Sequence, residues 1–205
     1  MQVSRDQITA LWKHADPGLC DSLALSSKEA FDLATINSNL RLAHFFAQIS
    51  HEANGGTILY ENLVYTTTAR LMAVWPTRFR NAAQAAPFVR NPQKLANEVY
   101  GDRLGNRRGT DDGWNYRGRG LIQITGRENY ARYGAATGLD LLNYPHLAAD
   151  PHHMLTIAAA FWHDRPCNAA ADRDDIEAVT RLINGGLNGL EDRKSWLSRW
   201  KQVLG

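Results

Sequence analysis

Residues 40–61, LRLAHFFAQISHEANGGTILYE, decide how this chain is read. Leu42, Phe45, Phe46 and Ile49 recur at i, i+3, i+4 and i+7, the apolar stripe of a helix packed on a core. Glu52 stands three residues past Ile49, so helical geometry puts it on the same stripe. A carboxylate there lies in the interior or at the mouth of a cleft, and both settings disfavour its charged form. Asn54-Gly55-Gly56 then supplies the left-handed turn that commonly ends a helix, and a second carboxylate, Glu61, follows beyond it.

Two acids separated by a helix end and a chain reversal are placed to face each other across a gap. One protonated and one ionised carboxyl on opposite faces of a sugar is what acid/base hydrolysis of a glycosidic bond requires. The competing reading makes Glu52 a helix-terminal residue bound to an arginine and Glu61 a solvated loop charge. Different surroundings would separate the roles, an apolar one suiting Glu52 as general acid and a polar loop suiting Glu61 as general base.

Working outward, Ser4 to Gln7 has the capping-box form, and Pro17-Gly18 reads as a break, with Ser26 or Ser27 opening a second short helix. Beyond Glu61, a small β-hairpin is expected near residues 57–66, then helices starting at Thr66–Thr68 and at Asn91-Pro92. Residues 101–120 hold six glycines, five arginines, Trp114 and Tyr116 and almost no aliphatic side chain, the make-up of a long functional loop. Aspartates interleave with the arginines and cancel much of their field, which argues against nucleic acid. Thr125 with Glu128 forms a second capping box, and cap chemistry favours that role for Thr125 over one in a site. Gln123 is a polar side chain in an apolar run, either a satisfied core amide or a hydrogen-bond partner of a sugar hydroxyl or acetamide. A helix after Asp150-Pro151 is apolar nearly all round and therefore buried, and Asn184-Gly185-Gly186 reads as a helix C-cap. The sum is a mainly α chain: two helical lobes flanking a substrate groove lined by loops.

With 205 residues, 44% hydrophobic and 21% charged, the chain suits a single globular domain over 1–205. The net charge of +2 is too small to imply a nucleic-acid partner. Cys20 and Cys167 read as two buried thiols. His51-Glu52 fails the HExxH pattern at Gly55, and His152-His153 point about 100° apart on a helix, so no metal and no cofactor is expected. There is no leader-like apolar segment and no membrane-spanning run of roughly 18 residues, so a soluble, cytoplasmically made product without stable membrane association is expected.

The segments FFAQISHEANGG, DDGWNYRGRGLIQITGRENY and RLINGG together resemble the family 19 glycoside hydrolases, most nearly the compact phage and prophage endolysins. The resemblance implies a lysozyme-like α+β fold and inverting, metal-free hydrolysis of β-1,4-linked N-acetylhexosamine polymers. It implies Glu52 as general acid, Glu61 as general base, and Tyr116, Gln123, Thr125 and Asn184 as lining the sugar cleft. Thr125 stands where many members carry serine, a hydroxyl that helps hold the attacking water, and Arg193 is the candidate for an arginine paired with the acid. The long insertions and disulfides of the plant members are missing. Peptidoglycan glycan strands are therefore the expected partner, met by a monomer after release through a separate holin-type pore. Chitin hydrolysis is the alternative, followed by lytic transglycosylase chemistry and by a sugar-binding module with a dead site.

Overall fold

Cap chemistry sets most helix starts in the computed structural model, which describes residues 1–205. Ser4 and Gln7 form the expected reciprocal box at the start of α1 (Arg5–Leu11). Pro17 opens a helix rather than breaking one: Asp16 accepts from the Leu19 N–H, proline occupies the first turn, where no N–H is needed, and α2 runs through Pro17–Ala34. The two serines expected to start a new helix lie inside α2 and bond back to its carbonyls, Ser26 to Ser22 and Ser27 to Ala24. Ser38 caps α3 (Asn39–Glu52). The chain continues through α4 (Thr68–Val74), α5 (Ala82–Ala85), α6 (Pro92–Tyr100), α7 (Asp112–Asn115) and α8 (Arg127–Thr137). Then come α9 (Met154–Asp164), α10 (Cys167–Ala171), α11 (Ile176–Asn184) and α12 (Leu190–Leu204). No helix is long and apolar enough to cross a membrane.

Two apolar cores separate the lobes. The larger is organised on α3, where Phe45 meets Trp162 of α9 edge-on at 5.6 Å and Phe46 lies 4.3 Å from Trp200 of α12. Burying each such ring contributes roughly 1.5–3 kcal/mol, so the position of α3 is set by packing. Ser50, also on α3 and fully buried, accepts from the indole N–H groups of both Trp12 (2.8 Å) and Trp200 (2.9 Å). The smaller core gathers Leu63, Leu71, Phe79, Leu95 and Val99 from α4, α6 and the segments around them. Every residue of α9 from Met154 to Trp162 is buried, as its all-round apolar character requires. Cys20 and Cys167 are buried and unpaired.

The hairpin expected at residues 57–66 does not form. Gly55-Gly56, just ahead of it, belong to the turn that ends α3, and residues 57–66 hold no glycine to close a local pair. Residues 59–61 instead pair antiparallel with 118–120, through Glu61 N–H to Gly118 O (3.0 Å) and Gly120 N–H to Leu59 O (2.9 Å). Arg119 pairs in turn with Ile124, so only two isolated bridges stand where strands were expected. This long-range tie brings the glycine- and arginine-rich loop against the segment that carries Glu61.

Candidate active site

Glu52 is the last residue of α3, and its carboxyl meets a guanidinium: Arg193 Nη2 donates to Oε1 at 2.5 Å. Arg193 is completely buried, on the first turn of α12, and its other donors go to Gln48 Oε1, one turn earlier on α3, and to Asn188 O. Gln48 itself reaches Thr180 of α11. Three helices thus fix one oxygen of Glu52, while no protein hydrogen bond engages Oε2. The purely apolar setting expected for Glu52 is corrected accordingly, since its stripe neighbours are apolar but its carboxyl is paired.

A groove of about 240 Å³ opens at this carboxyl. Its walls are Glu52, Gln123, Thr125 and Asn184, with Ile122, Ile124, Phe161 and Ile183 as apolar surface and Leu104 and Asn129 at the edge. Four of the six residues marked from sequence therefore meet in one place. Gln123 holds a left-handed backbone, φ 51°, unusual for a residue with a side chain and costing on the order of 1 kcal/mol. Its side-chain N–H bonds Gly120 O at 2.9 Å, which leaves the amide oxygen available. Asn184 ends α11, is exposed, and makes no side-chain hydrogen bond; the cap expected here is made by Gly185 in the left-handed conformation.

Thr125 is not a helix cap. Gly126 occupies the cap position of α8, the Glu128 N–H donates to Leu104 O, and the Thr125 hydroxyl donates to Gln123 O at 3.1 Å. Leu104 comes within contact of Gly126 and takes the place a side-chain cap would fill. The Thr125 oxygen keeps acceptor capacity toward the groove.

Glu61 lies across the loop tie. The Tyr100 hydroxyl donates to its Oε1 and the Gly118 N–H to its Oε2 at 3.2 Å. Burial first, then the negative charge of Glu61, pushes the Tyr100 phenol far up, so it remains a donor at any working pH. Gly118 sits between Gln123 and Glu61, since a Cβ there would lie 2.9 Å from Gln123 Oε1 and 3.4 Å from Glu61 Oε2, and Glu61 itself is not among the residues that line the Glu52 groove. Tyr116 is placed differently from the other marked residues. It is buried in the larger core, packs tilted against Tyr130 with ring centroids 5.2 Å apart, and its hydroxyl donates to Leu142 O. No three metal-binding side chains converge anywhere in the chain. Tyr100 and Gln48 escaped the sequence reading. Tyr100 stands 39 residues from Glu61 at a helix end, where nothing local marks it.

The chain matches the family model described as chitinase class I over residues 24–176. A glycosyl hydrolase family 19 domain-containing protein of Haemophilus influenzae is 34% identical over 199 residues, covering 94% of this chain and 92% of its own. An endochitinase of Solanum tuberosum is 30% identical over 243 aligned positions, covering 99% of this chain and 68% of its own. In fold, the chain resembles the crystal structure of chitinase C from Streptomyces griseus, with a TM-score of 0.68 at 23% identity over 99% of this chain and 92% of the other. The mainly α, lysozyme-like architecture expected from sequence is thereby shown, and the chain belongs to glycoside hydrolase family 19.

Proposed function

We propose that this glycoside hydrolase cuts the β-1,4 bonds of bacterial peptidoglycan glycan by an inverting, two-carboxylate mechanism, acting as a single catalytic domain over residues 1–205. The observation that carries it is the contrast between the two acids. Glu52 opens on a groove with one oxygen free, and Glu61, outside the lining of that groove, is held by two donors. Glu52 Oε2 delivers its proton to the leaving glycosidic oxygen, and Arg193 keeps the carboxyl aimed. Glu61 draws a proton from a water on the opposite face of the sugar, a geometry that calls for carboxyls about 6.5–9.5 Å apart. Thr125 Oγ1 and the Gln123 amide oxygen hold that water, and Asn184 bonds a sugar hydroxyl or acetamide. Tyr116 supports the loop from behind. No metal or cofactor takes part, and no stable membrane contact is needed. The enzyme works as a monomer, is made in the cytoplasm and reaches the wall through a separate pore.

Compactness sets the chain apart from the plant endochitinases, though not from chitinase C of Streptomyces griseus, 92% of which is covered. Alignment to the potato enzyme needs 243 positions for a 205-residue chain, so the plant enzyme carries insertions, whereas alignment to the Haemophilus protein needs 199. The chitinase names of the other relatives favour the second reading, chitin hydrolysis by the same residues. Release of reducing ends from purified sacculi and from colloidal chitin distinguishes the two, and anhydro-muramic ends would instead mark a transglycosylase. Glu52→Gln should lower turnover by about 10²–10⁴ or more while leaving the folded state intact, and an active variant would refute the assignment.

A further inference from the structure

A second cleft, of about 640 Å³, lies between α1, α12 and the turn that follows α3, and shares no lining residue with the groove. Its charged side chains are Lys13 and Arg199, joined by His14, and none of its lining residues is acidic. The larger cleft beside α6 differs in this respect, since its arginines and lysine alternate with Glu98, Asp102 and Asp111. Trp196, partly exposed, supplies indole surface, and Trp12 is almost wholly buried. Arg199 lies flat on the Trp196 ring at 3.6 Å, which fixes the plane of its guanidinium, and its only protein hydrogen bond is one long contact, Nε to Ser195 O at 3.4 Å. Lys13 and His14 are exposed and make no side-chain hydrogen bond or ion pair.

We infer that this cleft is an accessory binding site for the carboxylate-bearing portions of a peptidoglycan strand. The inference rests on the proposed substrate. Peptidoglycan differs from chitin in the carboxylates of its lactyl ethers and stem peptides. Unpaired cations beside an indole surface are the means of recognising an anion carried on a sugar polymer. Such a site holds the wall close while the separate groove cuts. It therefore acts on insoluble polymer and not on short soluble fragments.

The test is co-sedimentation with purified sacculi freed of phosphate-containing wall polymers, using the full chain carrying Glu52→Gln so that substrate persists. In that background Lys13→Glu with Arg199→Glu should weaken binding at least about fivefold, and the parent should bind sacculi with amidated carboxylates equally weakly. In the otherwise native enzyme, the same charge reversals should slow sacculus digestion while leaving hydrolysis of soluble oligosaccharides within about twofold. Circular dichroism of the variant checks the fold, and Lys13→Gln with Arg199→Gln repeats the test without introducing repulsion. Unchanged binding in both double variants overturns the site, as does undiminished binding to amidated sacculi. If the native enzyme digests sacculi but charge reversal has no effect, the site fails and the proposed function stands. If the Glu52→Gln chain binds sacculi through these cations but the native enzyme never cuts them, the function fails and the site stands. Absence of both binding by the Glu52→Gln chain and cutting by the native enzyme sinks both.

Discussion

The two candidate carboxylates, Glu52 on the wall of the groove and Glu61 outside its lining, are held by opposite means. Glu52 ends a helix clamped into the larger core and is fixed by a buried cation of α12 that also holds Gln48 of α3, itself tied to Thr180 of α11. Glu61 lies on an extended segment outside any helix and is fixed by two neutral donors, a phenol from the smaller lobe and a backbone N–H from the loop. The first arrangement ties the site to the stability of the fold, because removing the cation leaves buried polar groups without partners. The second ties it to how the two lobes meet, because Tyr100 belongs to one and Gly118 to the loop between them. Damage around Glu52 should therefore appear in both stability and turnover, and damage around Glu61 mainly in turnover.

The largest test of that difference is Arg193→Leu. It abandons Gln48 Oε1, Glu52 Oε1 and Asn188 O at once, and breaking a buried pair of this kind costs about 3–5 kcal/mol. Denaturant unfolding and turnover should fall together, and a variant of native stability would remove the claim that this wall is structural. Tyr100→Phe probes the other side. Loss of one hydrogen bond to a carboxylate is worth about 1.5–3 kcal/mol, so turnover should drop roughly 10- to 100-fold with a much smaller change in unfolding midpoint. A large stability loss with unchanged turnover would reverse the comparison.

A pH experiment sharpens the contrast further. His44, buried on α3, is hydrogen-bonded to Asp174 at 2.8 Å, and Asp174 also pairs with Lys201 of α12. Burial, opposed by Asp174, holds the His44 imidazole below its usual range. The unfolded chain then binds this proton more readily than the folded one. Stability should fall as pH drops below about 6.5, by no more than about 1.4 kcal/mol per pH unit for one proton. His44→Gln should flatten that slope in urea titrations between pH 7 and 5, and an unchanged slope would remove His44 from the account.

What the sequence disclosed follows the range of the interactions. The α3 stripe, the Ser4 box and the buried run of α9 are local patterns, and each appears in the structure as read. The two lobes and the meeting of Glu52, Gln123, Thr125 and Asn184 were also legible, the latter through family resemblance. The failures are contests between a local signal and a distant partner. Pro17 could end one helix or begin the next, and Asp16 decided it. Residues 59–61 carried no local turn, and the partner lay nearly sixty residues away at 118–120. Tyr100 has no local mark because its role exists only where two lobes touch.

Thr125 joins that lesson to the smallest of the tests. By pattern it is a cap with Glu128, yet Leu104 accepts the Glu128 N–H and Gly126 holds the cap position. If Thr125 were a cap, Thr125→Ala would cost about 1 kcal/mol of stability with turnover following only as the fold weakened. The geometry leads to the other outcome. One hydroxyl that orders a water is worth about 1 kcal/mol in the reaction, so turnover on soluble oligosaccharide should fall about fivefold with the unfolding midpoint nearly unmoved. Thr125→Ser restores the hydroxyl and should restore the rate, whereas Thr125→Val preserves the shape and should not. Equal rates for the serine and valine variants would leave the Thr125 oxygen no part in the chemistry and confine the water-holding role to Gln123.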